Sequence, residues 1–360
     1  MSKRKITEKA KDFFAIVIKD PQRKSIPVIL LDFLKYSLTN PAVAEQYFAK
    51  FLYRKGIDNY DDYMVTHKLQ NIFWKMNDPH YNSIFDNKYL FEIFLRNYNL
   101  SVVNSFAYNI NSLFFIDGGF DQINNEGEFR KFLMRVFARS NNDKTIFVKK
   151  TAGSGGGKNI FRISLKDLET DKLLAEKLYK HVIADGYIFQ EAIVQHEDIN
   201  RLNPHCVNTM RIVSYTNQAN GSRIMGGVFR IGLNDSYVDN TSSGGVYVGI
   251  DFESGALKKE AFSDFTNGRA KTYFRHPVNN MEFNGFKIPF FTETVDLVIG
   301  SAALFPQVKI VGWDVALTPN GPVMVEGNEL PSLVFEDITQ NGLRKNPVFM
   351  DMYHEALLSR

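Results

Sequence analysis

The sequence predicts an α+β protein dominated by antiparallel strands, and three observations carry that prediction. Short runs rich in β-branched and aromatic residues succeed one another from residue 145 onward: "TIFVKK", "NIFRIS", "GYIFQEAIV", "MRIVSYT", "RIMGGVFRIG", "GGVYVGID", "IVGWDVALT" and "PVMVEGN". A glycine-rich loop, "TAGSGGGKN", joins the first two of these strands to each other and not to a helix. The last two flank "TPNG", a turn in which Gly321 can take a positive φ. Strands joined by hairpins, with helices set among them, make an α+β architecture and not an alternating parallel one.

Taken in order, residues 1 to about 85 read as helical, with "AVAEQYFAKFLYRKG" carrying apolar residues at helical spacing up to Gly56. "SIPVILLDFLKYSL" (25–38) predicts a helix whose apolar side faces the core; contact with a membrane surface or a partner is the alternative. "FDNKYLFEIFLRNYNLSVVNSFAYN" predicts a helix and then a short β-rich run, and "EGEFRKFLMRVFARSNND" predicts another helix. Two further helices are expected between strands, at 165–183 and 291–306. "KTYFRH" (271–276) reads as a solvated loop, its basic and aromatic residues also being suited to an acidic or sugar-bearing substrate.

A chain of 360 residues with 44% apolar and 23% charged residues has enough material for two or three subdomains around substantial cores. A net charge of only +3 argues against nucleic acid as a partner. The single cysteine, Cys206, excludes an intramolecular disulfide, fits a reducing compartment and reads as a small buried side chain. The start "MSKRKITEKAKDFFAIVIKDP" is basic, but its apolar run is cut by Lys19 and is too short for a secretory signal. No stretch approaches the roughly 18 apolar residues of a membrane span, so a cytoplasmic location is expected.

The glycine loop matches neither of two common phosphate loops. With Gly157–Lys158 in the GK positions of a Walker A loop, Ala152 replaces the first glycine and Asn159 replaces the hydroxyl. Counted from Gly153, the sixth position of a dinucleotide fingerprint is Lys158. Ile160, Phe161 and Ile163 follow, so the loop is a hairpin tip. Such a tip, here Gly153, Ser154, Gly155, Gly156 and Gly157, either cradles phosphate with its N–H groups or is a flexible, solvated turn. Alternation along "TIFVKK" puts Lys149 and Lys150 on opposite faces, so only one of them can point at a ligand.

The hairpin "KIVGWDVALTPNGPVMVEGNELPSL" (309–333) is more telling. With Pro319-Asn320-Gly321 as its loop, Thr318 pairs with Pro322 and Asp314 lies opposite Glu326. Alternation then gathers Gly312, Asp314, Ala316, Met324, Glu326 and Asn328 on one face, and Trp313, Val315, Leu317, Val323 and Val325 on the other. Two carboxylates and an amide oxygen suit Mg²⁺, which takes a few protein oxygens and leaves its other positions to phosphates and water. An ordinary solvated face would mix Lys, Arg or Thr among its acids; this one carries none.

In this order the segments resemble the ATP-grasp superfamily, and in particular the sugar-transfer associated ATP-grasp proteins of bacterial polysaccharide biosynthesis. The resemblance spans about 85–345 and implies two α+β subdomains clamping ATP: a lid at about 145–190 and a catalytic subdomain at about 191–345. Residues 1–84 are then an appended helical region, and 346–360 a C-terminal helix. "FDNKYLF" resembles the family's DK element and implies Lys88 on the phosphates; "IFVKK" implies Lys149 as the second phosphate lysine, with Lys150 where proline is usual. "AGSGGGKN" resembles the lid loop. "YIFQEAIVQHED" is similar to the adenine hinge, implying Gln190, Glu191, Ala192 and Ile193, with Asp198 or Glu197 on the ribose. "NTMRIVSY" implies Arg211, with Asn208 in place of the usual acid; "GGVFRIG" implies Arg230; "DNTSSGG" implies Asn240, Gly244 and Gly245. Asp314, Glu326 and Asn328 match the family's Mg²⁺ ligands.

The resemblance implies an ATP-dependent carboxylate–amine ligase working through an acylphosphate, with ATP and one or two Mg²⁺ as cofactors. The implied substrates are small molecules, a carboxylate and an amine, one of them sugar-linked. An ATP-dependent kinase and a non-catalytic ATP-binding partner protein are the alternatives. His196, His205 and His276 are candidate bases for the amine, each with a structural reading beside it.

Overall fold

The computed structural model describes residues 16–40, 46–140, 144–153, 159–233, 239, 244–264 and 271–358. It opens with helices α1 (Ile26–Thr39), α2 (Gln46–Ala49) and α3 (Thr66–Met76), continues through α4 (Asn82–Asp86) and α5 (Lys88–Asn97), and then enters the first of two antiparallel sheets. Among the described residues no helix is long and apolar enough to cross a membrane.

Helix α1 departs from its expected orientation. It buries Ile29 and Tyr36, while Leu30, Leu31, Leu34 and Leu38 stand exposed, Leu38 at 83%. The segment is apolar on two sides, so periodicity alone could not tell which side the core covers. Ile29 and Tyr36 join Tyr47, Phe51, Leu52 and Tyr53 in a core completed by Val228, Tyr247, Phe262 and Ile338. The N-terminal region is therefore packed into the body of the protein.

The first sheet runs β3-β2-β1-β6-β4-β5, built from β1 (Ser105–Ile110), β2 (Leu113–Ile116), β3 (Gly119–Gln122), β4 (Thr145–Lys150), β5 (Ile160–Ser164) and β6 (Tyr187–Glu191). One face packs on α6 (Glu126–Arg139), whose cap Asn125 accepts from the Glu128 amide, and on the helices after β5. The helix expected at 165–183 is two, α7 (Leu165–Thr170) and α8 (Leu174–Val182): the Asp171 carboxylate accepts from the Leu173 amide and turns the chain between them.

After the short α9 (Glu197–Asn200), the second sheet runs β11-β10-β9-β8-β7-β12-β13. Its strands are β7 (Thr209–Asn217), β8 (Gly221–Ile231), β9 (Val246–Asp251), β10 (Ala256–Ser263), β11 (Thr272–Tyr273), β12 (Ile310–Thr318) and β13 (Gly321–Asn328). β11 lies inside "KTYFRH": the segment read as a loop forms an edge strand, pairing Tyr273 with Ala261. The helix expected at 291–306 is α10 (Phe291–Ala303), packed on one face of the sheet with α4 and α5. The chain closes with α11 (Val334–Thr339) and α12 (Pro347–Leu358). β12 is buried along nearly its whole length because both of its faces are covered. Trp313 is fully buried among Phe85, Phe91 and Phe305 and donates its indole N–H to Ser214 Oγ at 2.8 Å. Truncating such a ring costs about 3–5 kcal/mol.

The metal hairpin differs instructively from its expected form. Thr318 pairs with Gly321, so the loop is Pro319-Asn320, one residue shorter than expected. A bulge between Asp314 and Val315 makes Val325 the extra residue, so Val315 pairs with Met324 while Asp314 still faces Glu326. Met324 consequently belongs to the core beside Trp313, Val315 and Leu317, and not to the acidic face. The shorter turn and the bulge offset one another, which is why the carboxylate pairing agrees with a count that assumed neither.

Two crossings tie the sheets together. The segment before β1 runs along β13, with the Val103 amide donating to Met324 O and the Met324 amide to Ser101 O. The segment after β6 reaches β12, the His196 amide donating to Leu317 O at 2.8 Å.

Candidate active site

Strand register assembles the site. Arg211 of β7 is paired directly with Asp314 of β12, and Asp314 with Glu326 of β13, so three charged side chains stand in one row across three strands. Arg230 of β8 lies one row on, opposite Thr209. Arg211 holds Asp314 from Nε and, at 2.9 Å, from Nη2; Arg230 Nη2 donates to the same carboxylate at 2.7 Å. Arg230 is held in turn by Thr209 Oγ1 and by Asp239, 3.5 Å away. Asp239 also accepts from the Thr209 amide at 3.0 Å and from its hydroxyl at 2.5 Å.

Charge settles unevenly in this buried cluster. Burial opposes ionisation of Asp314, but the two guanidiniums outweigh it and hold the carboxyl well below the usual range. Glu326 is pushed the other way, first by burial and then by the charge of Asp314, with which it shares a hydrogen bond. Asn328 Nδ2 lies 3.5 Å from Glu326 Oε1. Among the described residues no three Asp, Glu, His or Cys side chains are grouped as a metal site; this set holds two carboxylates and an amide. Its donors are hard oxygens, and Glu326, raised first by burial and then by Asp314, stands directly beside that carboxylate. The chemistry fits a divalent cation that draws its remaining ligands from phosphate and water.

The first sheet contributes the lysines. Lys149 is half-buried; removal from water pulls its ammonium down to about 8, Glu326 counters this and Lys88 adds to it. Lys150 points away and pairs with Asp185 at 2.5 Å. Lys149 is thus the lysine of the two that shares a field with Glu326 and Lys88. Lys88 is the first residue of α5, placed there by Asn87, whose side chain accepts from the Tyr89 and Leu90 amides. The Lys88 amide donates to Thr151 O, and Asp86 accepts from the Gly153 amide at 3.0 Å, docking this corner onto the base of the glycine loop. Gly153 takes φ +65° there. Ser154, Gly155, Gly156, Gly157 and Asn240 lie outside the described residues.

Gln190 is buried on β6 between Ser105 and Phe147, and it hydrogen-bonds Glu92, which also accepts from the Ser105 amide at 2.9 Å. The Glu191 amide donates to Asn104 O, and Ala192 and Ile193 begin the crossing to the second sheet. Asp198 stands apart at the start of α9, 3.4 Å from Arg201. Cys206 is buried, and burial pushes its thiol up to about 12, out of reach of thiolate chemistry. Asn208, which stands where the resemblance expects an acid, is wholly buried and braces the β6–β7 connection through Gln195, Asn203 and Gly232. His205 is exposed, His196 accepts from the Asp198 amide, and His276 is buried with its pKa lowered by burial.

Sequence reasoning missed Asp239, Thr209, Glu92 and Glu336. Asp239 adjoins Asn240 in "DNTSSGG", but its pairing with Arg230 depends on a return of the chain that no local pattern announces.

A family model described as sugar-transfer associated ATP-grasp matches residues 69–348, and the protein belongs to that family. No curated protein matches the chain in sequence. Among solved structures it is similar to an ADP complex of an N5-carboxyaminoimidazole ribonucleotide synthetase (11% identity, TM-score 0.42, covering 80% of this chain and 56% of that one). It is likewise similar to the D-alanyl-alanine synthetase A of Vibrio cholerae (11%, 0.45, 78% and 68%). A third is the D-alanine–D-alanine ligase of Coxiella burnetii (12%, 0.38, 78% and 63%). The chain spans little more than half the length of the first of these.

Proposed function

We propose that the protein is an ATP-dependent carboxylate–amine ligase. The γ-phosphoryl group passes from ATP to a carboxylate oxygen, giving ADP and an acylphosphate. The amine nitrogen then attacks the acyl carbon and phosphate leaves. One observation carries this reading: Lys149 and Lys88 from one side and Arg211 and Arg230 from the other converge on the Asp314–Glu326 pair. Phosphoryl transfer asks for positioning and charge neutralisation more than for a covalent side-chain catalyst, and this cluster supplies both. Asp314, Glu326 and Asn328 would hold a Mg²⁺, which would supply positive charge to neutralise the phosphates. Lys88 and Lys149 take the phosphates, Arg211 and Arg230 the charge growing on the acylphosphate, and Asn240 supports them. Gln190, Glu191, Ala192 and Ile193 take the adenine, Asp198 the ribose, and Gly153 to Gly157 close over the phosphates. The corresponding division is a helical region at 1–84, a lid at about 145–190, a catalytic subdomain at about 191–345 and a terminal helix.

The family's description as sugar-transfer associated supports a sugar-linked substrate, surface-polysaccharide synthesis is the setting the sequence resemblance implies, and the lone buried thiol supports a cytoplasmic setting. The exposed leucines of α1 support contact of the N-terminal region with a partner or membrane surface; vesicle binding unchanged by Leu34→Lys would remove the membrane option. Screening carboxylates and amines for phosphate release tests the ligase reading. The expected result is ADP and free phosphate only when both substrates are present; a stable phosphorylated product with no amine requirement would make the protein a kinase.

A further inference from the structure

Glu336 of α11 is wholly buried, and neither of its carboxylate oxygens has a hydrogen-bond partner in another residue among those described. A buried, unpaired carboxylate is among the costlier features a fold can keep, and such groups call for an account in terms of function. Its surroundings supply one. Helix α11 lies directly on glycines of the second sheet: a Cβ on Gly226 would sit 3.6 Å from Glu336 Cγ, and one on Gly249 would sit 2.8 Å from Thr339 Cβ. Gly226 pairs with Val213, and Val213 with Gly312. A Cβ on Gly312 would lie 3.3 Å from Arg211 Cδ and 3.7 Å from its Nη1. Glu336 and Arg211 therefore occupy neighbouring places on one face. Of the charges acting on Glu336, that of Arg211 is the largest.

We propose that Glu336 is a positioning residue for Arg211, receiving its guanidinium when a divalent cation takes Asp314. This rests on the reading of Asp314 and Glu326 as a cation site. Two guanidiniums now hold Asp314, one bonding both of its oxygens and the other bonding Oδ2, so a cation that takes both oxygens must displace one of them. One must withdraw, within a cleft where an unpaired guanidinium is as unfavourable as an unpaired carboxylate. Arg230 already has Asp239 and Thr209 as partners. Among the described residues, Arg211 spends its hydrogen bonds on Asp314 alone. Arg211 is thus the one that moves, and the waiting carboxylate is Glu336. Its neighbour Asp337 is committed to Lys50, to the Met64 amide and to the Leu343 amide.

The nearly isosteric Glu336→Gln tests this through Mn²⁺ binding measured by electron paramagnetic resonance, with and without ADP, and through the Tm of the ligand-free protein at pH 8. The Kd for Mn²⁺ should rise about tenfold or more, as for other residues that orient a metal's surroundings. The ligand-free Tm should rise as well, because an unpaired charge is removed and no existing hydrogen bond is lost. Glu336→Asp should recover part of the Mn²⁺ affinity. Unchanged Mn²⁺ affinity, a lowered Tm or a variant that does not fold would each overturn the proposal. ADP binding without Mn²⁺ separates it from the ligase reading: if ADP and Mn²⁺ bind the wild type and only the Glu336 effect is missing, the positioning role alone falls. If the wild type binds neither, both fall.

Discussion

At the scale of single residues, the site depends on a carboxylate that stays ionised although buried. Asp314 does so because Arg211 and Arg230 reach it from adjacent strands, and Glu326, lacking such a pair, carries the raised pKa. Glu326→Ala should leave the fold intact and reduce turnover by at least about 10², the scale of losing a group that stabilises developing charge; a steady-state assay that finds full activity removes Glu326 from the site. Lys149 gives a pH signature. Its ammonium is held down to about 8, so below pH 8 the native state carries a desolvated charge that Glu326 only partly compensates. Between pH 8 and roughly 10.4 the native state loses that proton before the unfolded chain does, so stability from this group rises with pH across that window. Lys149→Met should therefore raise Tm at pH 7, with the gain shrinking towards pH 10, while weakening ATP binding. A gain that grows with pH would contradict the assignment. The pairing of Asp314 with Glu326 was legible beforehand from strand alternation, which left Lys149 and Lys150 as alternatives. Asp239 and Glu336 were not, since Asp239 reaches Arg230, and Glu336 comes to lie on the face that carries Arg211, only through tertiary packing.

Among elements, the hairpin β12–β13 and helix α11 decide the geometry. The hairpin shows how a pairing can be foreseen while its cause is not: residue counting assumed a regular ladder, whereas the molecule combines a two-residue turn with a bulge at Val325. Local turn preferences do not reveal a bulge, because the bulge answers to packing of Met324 beneath the sheet. The strands β2, β3 and β10 were likewise unread, the last because "LKKEAF" breaks apolar alternation. Helix α11 is fastened from behind by a fully buried ion pair: Lys50 contacts Asp337 and also the Met64 carbonyl. Lys50→Met would strand the Asp337 carboxylate and should cost about 3–5 kcal/mol in denaturant unfolding. Lys50→Met combined with Asp337→Leu should recover most of that loss. A double variant as unstable as the single one would show that packing, not charge, fastens the helix.

For the whole molecule, the N-terminal region is part of the body, its aromatic core closing over Val228, Tyr247 and Phe262 on the sheet face that carries the arginines. Removing residues 1–65 would expose that core, and the remaining chain should be insoluble or molten by near-ultraviolet circular dichroism; a truncated chain with native spectra would make the region a separable appendage. Sequence alone described this region as helical and could not dock it, because its partners lie some 200 residues away on strands whose own burial is two-sided. The two sheets, by contrast, were foreseen in kind, since hairpin-linked β-rich runs leave few other arrangements. The central claim is that a carboxylate is activated as an acylphosphate above Asp314 and Glu326. It is tested most directly by supplying the carboxylate substrate labelled with ¹⁸O and analysing the released phosphate by mass spectrometry. Transfer of one ¹⁸O into phosphate for each amide formed is the predicted result; turnover that releases unlabelled phosphate would contradict the account.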